Sequence, residues 1–329
     1  MEKQSNNIRI HHARILSMTK DTSDRSSELP VIHGEIHICN DKITYVGDPR
    51  FAPSADWDRE IDADGNIIMP GFKNAHTHSG MTFLRSYADD LPLQNWLYDK
   101  VFPLEALLTP EDIYWCSRLA IMEYLTSGIT ANFDMYQKTD AIVRASVDSC
   151  YRTVLCGSVN NFVSSVEELE QNYLRYNNYD PLISSQLGFH AEYTTSEELL
   201  HGIADLSHKY KAPVYTHNSE TADEVSDCVK RTGYTPTVYM EHLGLLDHGG
   251  GGFHCVHMTE EDLDIYKEKG LWAVTNPSSN LKLASGIAPL THMLDKGISL
   301  AIGTDGPASN NCLDMFREMF LTTALQKVT

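Results

Sequence analysis

At 329 residues the chain is long enough for two ordinary domains or for one large α/β barrel with an appendage. Its composition, 42% hydrophobic and 22% charged, excludes collagen-like, coiled-coil and disordered classes. Forty-five acidic against 26 basic side chains leave a formal charge of -19, a field that repels nucleic-acid backbones and anionic membranes, so neither is expected as a partner.

The first residues, 1–7, are polar, and no run approaches the roughly 18 apolar residues of a membrane helix. Seven scattered cysteines without a Cys-x-x-Cys pair fit reduced thiols, and together these features predict a soluble, cytoplasmic protein. Residues 8–15, 34–39 and 42–46 alternate apolar and polar side chains and predict short antiparallel strands. From about residue 66 the rhythm changes to a short apolar strand followed by a helix-period segment, and this repeats eight times. Strands are expected at 66–71, 129–134, 153–157, 183–190, 213–217, 252–258, 271–276 and 299–305. Helices should follow at 111–125, 141–150, 166–176, 197–210, 222–230, 260–269, 289–295 and 313–327, several opening on a capping residue such as Ser196 or Thr259. The prediction is a (β/α)8 TIM barrel over 66–329, preceded by a small β domain at 1–65. The stretch 79–109 far exceeds the two to six or so residues usual in a βα loop and is expected to cover the site. The glycine run 249–252 reads as a loop.

Barrels of this kind carry reactive groups at the carboxyl ends of their strands. The first strand leads into His76-Thr77-His78, and extended alternation puts both histidines on one side. The fifth ends Thr216-His217-Asn218-Ser219-Glu220, the sixth carries Phe253-His254-Cys255-Val256-His257, and the eighth ends Gly303-Thr304-Asp305-Gly306. Singly, each has a plain structural reading: a satisfied core histidine, a helix-opening acid, a turn aspartate. Four strands finishing on His or Asp make coincidence a poor account of all of them. Imidazole and carboxylate donors suit one divalent metal, Zn2+ before Fe2+, held by His76, His78, His217 and Asp305. The His-x-Glu with Pro-Cys-x-x-Cys arrangement of the other zinc deaminases is absent.

The segment 69–78 with Met81-Thr82, the run Asn276-Pro277-Ser278-Ser279-Asn280-Leu281-Lys282-Leu283, and Gly303–Gly306 with Ser309-Asn310-Asn311 resemble the amidohydrolase-superfamily deaminases. The likeness is greatest to those acting on S-adenosylhomocysteine and 5′-methylthioadenosine, with guanine deaminases and chlorohydrolases as relatives. It implies a small β-sandwich built from both termini, whose carboxyl-terminal part would be missing here, and a homo-oligomer. The fourth strand, ending Phe189-His190-Ala191-Glu192, lacks the lysine that bridges two metals in binuclear members, which implies a single metal. By the same resemblance His254 orients the attacking water, Glu220 shuttles protons, and Asp305 is both ligand and proton acceptor. His257 is the weaker candidate. Trp96, Glu105 and His190 match substrate-contacting positions, Glu105 as the ribose-binding carboxylate. The expected reaction is hydrolytic deamination of adenosine, 5′-deoxyadenosine, 5′-methylthioadenosine or S-adenosylhomocysteine. The alternatives are another ring, guanine-type or a chlorinated triazine, or a metal-binding homologue with impaired catalysis. No arginine follows the third strand in Leu155–Phe162, which disfavours a charged homocysteine tail, and Glu192 and Thr275 depart from common residues in ways expected to reshape the pocket.

Overall fold

The computed structural model describes residues 6–19 and 31–329, and the chain divides into two compact units, 1–71 and 72–329. The first unit is a five-stranded sheet: β1 (Asn7–Leu16), β2 (Val31–Cys39), β3 (Lys42–Gly47), β4 (Arg59–Asp62) and β5 (Ile67–Ile68). β1 pairs antiparallel with β2, as alternation predicts, but β4 and β5 both run parallel to β1. Ala13, Ile15, Ile36 and Ala63 form its small core, packed on by Ile10, Ile32, Ile38 and Ile68.

The second unit is a barrel of eight parallel strands in sequential order. They are β6 (Phe72–Thr77), β7 (Ile129–Met135), β8 (Arg152–Cys156), β9 (Ile183–Ala191), β10 (Val214–Asn218), β11 (Gly250–His254), β12 (Trp272–Thr275) and β13 (Ser299–Ile302). Where β13 meets β6 the closure continues past the strand: Asp305 N–H donates to the His76 carbonyl at 3.0 Å, and Asn74 Oδ1 accepts from Thr304 N–H at 2.9 Å. Asp305 is therefore tied by its own backbone to the strand that carries His76 and leads into His78.

Three sequence expectations need correction. The apolar run at 66–71 is not the first barrel strand: Ile67 and Ile68 pair with β1, and Pro70, with no N–H to give a ladder, separates them from β6. The glycine run is not a loop. Gly250–Gly252 form the first half of β11, because a Cβ at Gly250 would lie 1.9 Å from the Val214 carbonyl oxygen and one at Gly251 would lie 2.1 Å from that of Trp272. The strand also stops at His254, since His254 and Cys255 both take positive φ, 72° and 50°, so His257 lies beyond it. An additional helix, Pro236–His242, capped by Thr235 and opened by Pro236, stands between β10 and β11.

The stretch 79–109 is built of short helical turns, Ser79–Leu84, Leu93–Asn95, Trp96–Val101 and Phe102–Glu105, before the long helix Pro110–Thr126 starts at a Thr109/Asp112 capping box. Leu93, Trp96, Leu97 and Val101 are buried, so apolar burial holds this segment in place. Within the barrel, Met135, Cys156, Phe253 and Val274 form an apolar cluster, and the His76 ring stacks on Phe253 at 3.7 Å.

Candidate metal centre and active-site cavity

At the carboxyl ends of the strands, His76, His217, His254 and Asp305 each place one ligand atom within 4.8 Å of all the others, and all four residues are buried. His78 completes the group, its Nε2 lying 3.2 Å from Asp305 Oδ1, against 3.4 Å for His76 Nε2 and 4.0 Å between His254 Nε2 and Asp305 Oδ2. The structure thus brings together His76, His78, His217 and Asp305, the four residues expected to hold a metal, and adds His254, expected to orient the water, to the same cluster.

Each ring but one is locked by its far nitrogen. His78 Nδ1 bonds the Met135 carbonyl, His217 Nδ1 the His190 carbonyl at 2.6 Å, and His254 Nδ1 the Asn280 side-chain oxygen at 2.7 Å. Donation from Nδ1 fixes the tautomer and leaves the Nε2 lone pair facing inward, an arrangement that orients metal-binding imidazoles. Asp305 is held by Ser279 and Ser309, whose hydroxyls donate to Oδ2 at 2.5 and 2.7 Å. Its Oδ1 and both ring nitrogens of His76 have no hydrogen-bond partner among the described residues although fully buried. Unpaired buried polar atoms are costly, and a shared cation is the partner that satisfies an imidazole lone pair and a carboxylate oxygen together. Burial drives the His76 pKa down to about 3 and that of His217 well below its usual value, keeping both rings neutral. Burial opposes the charge on Asp305, but the imidazoles of His76 and His78 hold its carboxyl well below the ordinary range. The Asp305 carboxylate with the imidazoles of His76, His78 and His217 is a donor set for a divalent ion.

Beside the cluster lies a cavity of about 410 Å3, lined by His78, His217, His254 and Asp305 at its floor and by Glu220, Glu105, Trp96 and His190 around it. Glu220 is buried, its Oε1 accepting from the Ser285 hydroxyl at 3.0 Å and lying 3.7 Å from His254 Nδ1. Burial raises its pKa, which favours the protonated form. Glu105 accepts from the Tyr136 hydroxyl at 2.6 Å, and burial raises its pKa as well. His190 bonds Thr194 at 2.9 Å and is pushed by burial to about 3, so it stays neutral. The remaining wall is mostly aromatic and aliphatic, including Tyr98, Phe102, Phe162 and Val163, with polar groups from Gln137, Ser158, Asn160 and Ser309, and among the described residues none that lines it is Lys or Arg.

Other nominated residues lie elsewhere. His257 bonds the Ser285 carbonyl at 2.7 Å and does not line the cavity. Glu192 turns away to pair with Arg231 at 2.7 Å, and Thr275 is buried at the end of β12, so neither shapes the lining as expected. Sequence reasoning missed Ser279, Ser285 and Asn280, which hold Asp305, Glu220 and His254. It also missed Glu224, whose carboxylate accepts the backbone N–H of Ser219 at 2.9 Å and of Glu220 at 2.7 Å. Glu224 was within reach: Thr221-x-x-Glu224 has the capping-box spacing, and the box forms.

Residues 67–329 match the amidohydrolase family profile. The chain belongs to the amidohydrolase family. A 5-methylthioadenosine/S-adenosylhomocysteine deaminase of Desulforamulus reducens is 40% identical to this amidohydrolase over 98% of the chain and 75% of its own length. The protein of that name from Syntrophomonas wolfei is 44% identical over 84% of the chain and 66% of its own length. Among solved structures, an adenosine deaminase from Xanthomonas campestris with bound zinc superposes with a TM-score of 0.86 at 32% identity, covering 98% of this chain and 74% of that one. A guanine deaminase from C. acetobutylicum, at 20% identity and a TM-score of 0.86 over 99% of this chain and 80% of that one, shares the fold.

Proposed function

We propose that this amidohydrolase is a metal-dependent deaminase of an adenine nucleoside, releasing ammonia and the inosine-type product. The observation that carries the reading is the meeting, in one apolar cavity, of the His/Asp cluster, the buried acid Glu220 and the diol-competent carboxylate Glu105. The relatives named as 5-methylthioadenosine/S-adenosylhomocysteine deaminases and the zinc-containing adenosine deaminase support it.

His76, His78, His217 and Asp305 would hold one divalent cation, zinc by the precedent of that neighbour, with no lysine at the end of β9 to bridge a second. The bound ion supplies Lewis-acid activation of water at neutral pH. Asp305 accepts a proton from the attacking water, while His254, fixed by Asn280, aims the water at C6 of the ring. Glu220 donates its proton to the neighbouring ring nitrogen, which becomes basic as the ring loses aromaticity. Asp305 then passes its proton to the amino group, the C6–nitrogen bond breaks and ammonia leaves, while the hydroxyl on C6 returns a proton to Glu220 as the C6 carbonyl of the product forms. Glu105 accepts hydrogen bonds from the two vicinal ribose hydroxyls, with Tyr136 fixing its rotamer. Trp96 and Phe102 cover the ligand and exclude water. Because the lining offers no Lys or Arg, neutral 5′ groups are favoured over the charged homocysteine tail.

The test is a panel of adenosine, 5′-deoxyadenosine, 5′-methylthioadenosine, S-adenosylhomocysteine and guanine, followed by ultraviolet change and ammonia release on protein of known metal content. Turnover of the adenosines is expected, neutral tails first. Turnover of guanine alone by metal-loaded protein would move the reading to another ring.

A further inference from the structure

The small sheet of the first unit carries a second cluster of metal-ligating side chains. β1 pairs with β2 on both sides of His11 and His12, but the register slips between Ile10 and Ala13. His12 takes φ 53°, in the left-handed region that few side chains adopt. Adjacent residues of a regular strand point to opposite faces. This bulge instead brings the two imidazoles together, their Nδ1 atoms 3.1 Å apart and their rings nearly perpendicular at 86°. β4 runs alongside with Asp62 opposite His11. Asp62 Oδ1 lies 3.0 Å from His12 Nδ1 and 3.9 Å from His11 Nδ1, and it is steadied by the Asp64 N–H at 2.9 Å.

Hydrogen bonding does not serve this triangle well. A ring nitrogen carries either one proton or one lone pair, yet His12 Nδ1 faces both a carboxylate oxygen and another imidazole nitrogen. A single proton there cannot point along both contacts. A cation can accept all three donors. Ligand bonds of about 2.0–2.1 Å in tetrahedral geometry set donor atoms about 3.3 Å apart, and the three observed edges bracket that value. His12 and Asp62 are exposed, so an ion would enter from solvent and keep water on its open side.

We propose that His11, His12 and Asp62 bind a divalent transition-metal ion of the Zn2+, Ni2+ or Cu2+ class, clamping the bulge of β1 to β4. Two imidazoles with one carboxylate select these ions over Mg2+ and Ca2+. With three protein ligands at the surface, the site is weaker than the buried barrel cluster and fills after it. A metal content above one per chain would then report this sheet and not a binuclear barrel.

The experiment is equilibrium dialysis of the full chain against Zn2+, with metal counted per chain, for the wild type, His12→Asn, Asp62→Asn and His76→Ala. Asparagine tolerates positive φ, so His12→Asn removes the imidazole without disturbing the bulge. Two equivalents are expected for the wild type, and one for each variant. Deaminase activity should be unchanged in His12→Asn and Asp62→Asn, and the uptake readout stands whether or not adenosines are the substrates. A nitrogen-coupled Cu2+ resonance that persists in His76→Ala and disappears in His76→Ala/His12→Asn would place the second ion on these histidines. Wild-type uptake that saturates at one equivalent, or a second equivalent retained by His12→Asn, overturns the proposal.

Discussion

At the floor of the barrel cavity each polar group is pinned by a partner from another element: Met135 on β7 for His78, the His190 carbonyl on β9 for His217, Asn280 for His254, Ser279 and Ser309 for Asp305. Along the wall, Trp96, Phe102, Tyr98 and Phe162 come from the 79–109 segment and the turn after β8, and the Phe102 ring packs against those of Tyr98 and Phe162. Directional bonds on rigid strands fix atoms to the tolerance that bond-making chemistry demands. Apolar packing on connecting segments fixes only shape. Changes at the floor should therefore act on turnover and metal content, and changes at the wall on which nucleoside is taken.

The largest effects lie at the floor. Chelation should abolish activity and Zn2+ should restore it, with a rise in thermal midpoint on reloading, because only the folded chain assembles the cluster. Glu220→Gln should keep the metal and lose about 100- to 10,000-fold in kcat, the range of general acid catalysis. Metal analysis and initial rates on the same sample check both halves. Full activity in Glu220→Gln would remove that residue from the mechanism and blur the division between floor and wall.

At the wall, a charged tail placed among residues with no cation should cost about 3 kcal/mol, so 5′-methylthioadenosine should exceed S-adenosylhomocysteine by roughly 100-fold in kcat/KM. Val163→Arg should narrow that ratio while leaving adenosine turnover intact. Equal turnover of both substrates by the wild type would show that the tail leaves the cavity for solvent. A smaller effect, roughly 30-fold in kcat/KM or about 2 kcal/mol, is expected for Glu105→Gln, which weakens the charged hydrogen bonds to ribose. 2′-Deoxyadenosine should narrow the gap between the two proteins.

The same contrast governs what is legible in the sequence. His76, His78, His217 and Asp305 can be found because strand periodicity is short and a polar residue ending an apolar run stands out against it. Glycines 250–252 read as a loop because glycine usually breaks strands, whereas here the close approach of Val214 and Trp272 requires the missing Cβ. Residues 67 and 68 look like any barrel strand in sequence, and only the pairing with β1 assigns them to the first sheet. Ser285 and Asn280 act on Glu220 and His254 across sequence separations of 65 and 26 residues, which no local pattern encodes. The length of the 79–109 stretch marks it as functional, but the apolar anchoring of its helical turns depends on contacts made only in three dimensions.

The smallest effect on turnover is expected at Glu224, which touches neither substrate nor metal. Its two oxygens accept from the backbone of Ser219 and Glu220, and Ser219 takes φ 50°, so the carboxylate holds a strained turn that aims Glu220 into the cavity. In Glu224→Gln the amide oxygen keeps one of these bonds and its NH2 group faces the other donor. About a tenfold fall in kcat should result, with KM and metal content unchanged. The variant should also change how stability depends on pH. Burial, and then the charge of Glu220, raise the Glu224 carboxyl from its usual 4.5 to about 7. The folded chain therefore binds this proton more tightly than the unfolded one, so its contribution is fully present below about pH 4.5 and is lost as pH rises through about 7. Glutamine cannot titrate, and the difference in denaturation midpoint between the two proteins should shift in the variant's favour across that window. A midpoint difference that is constant from pH 4.5 to 7 would show that Glu224 is already ionised in the fold, and its hold on the Glu220 turn would then be that of a charged cap.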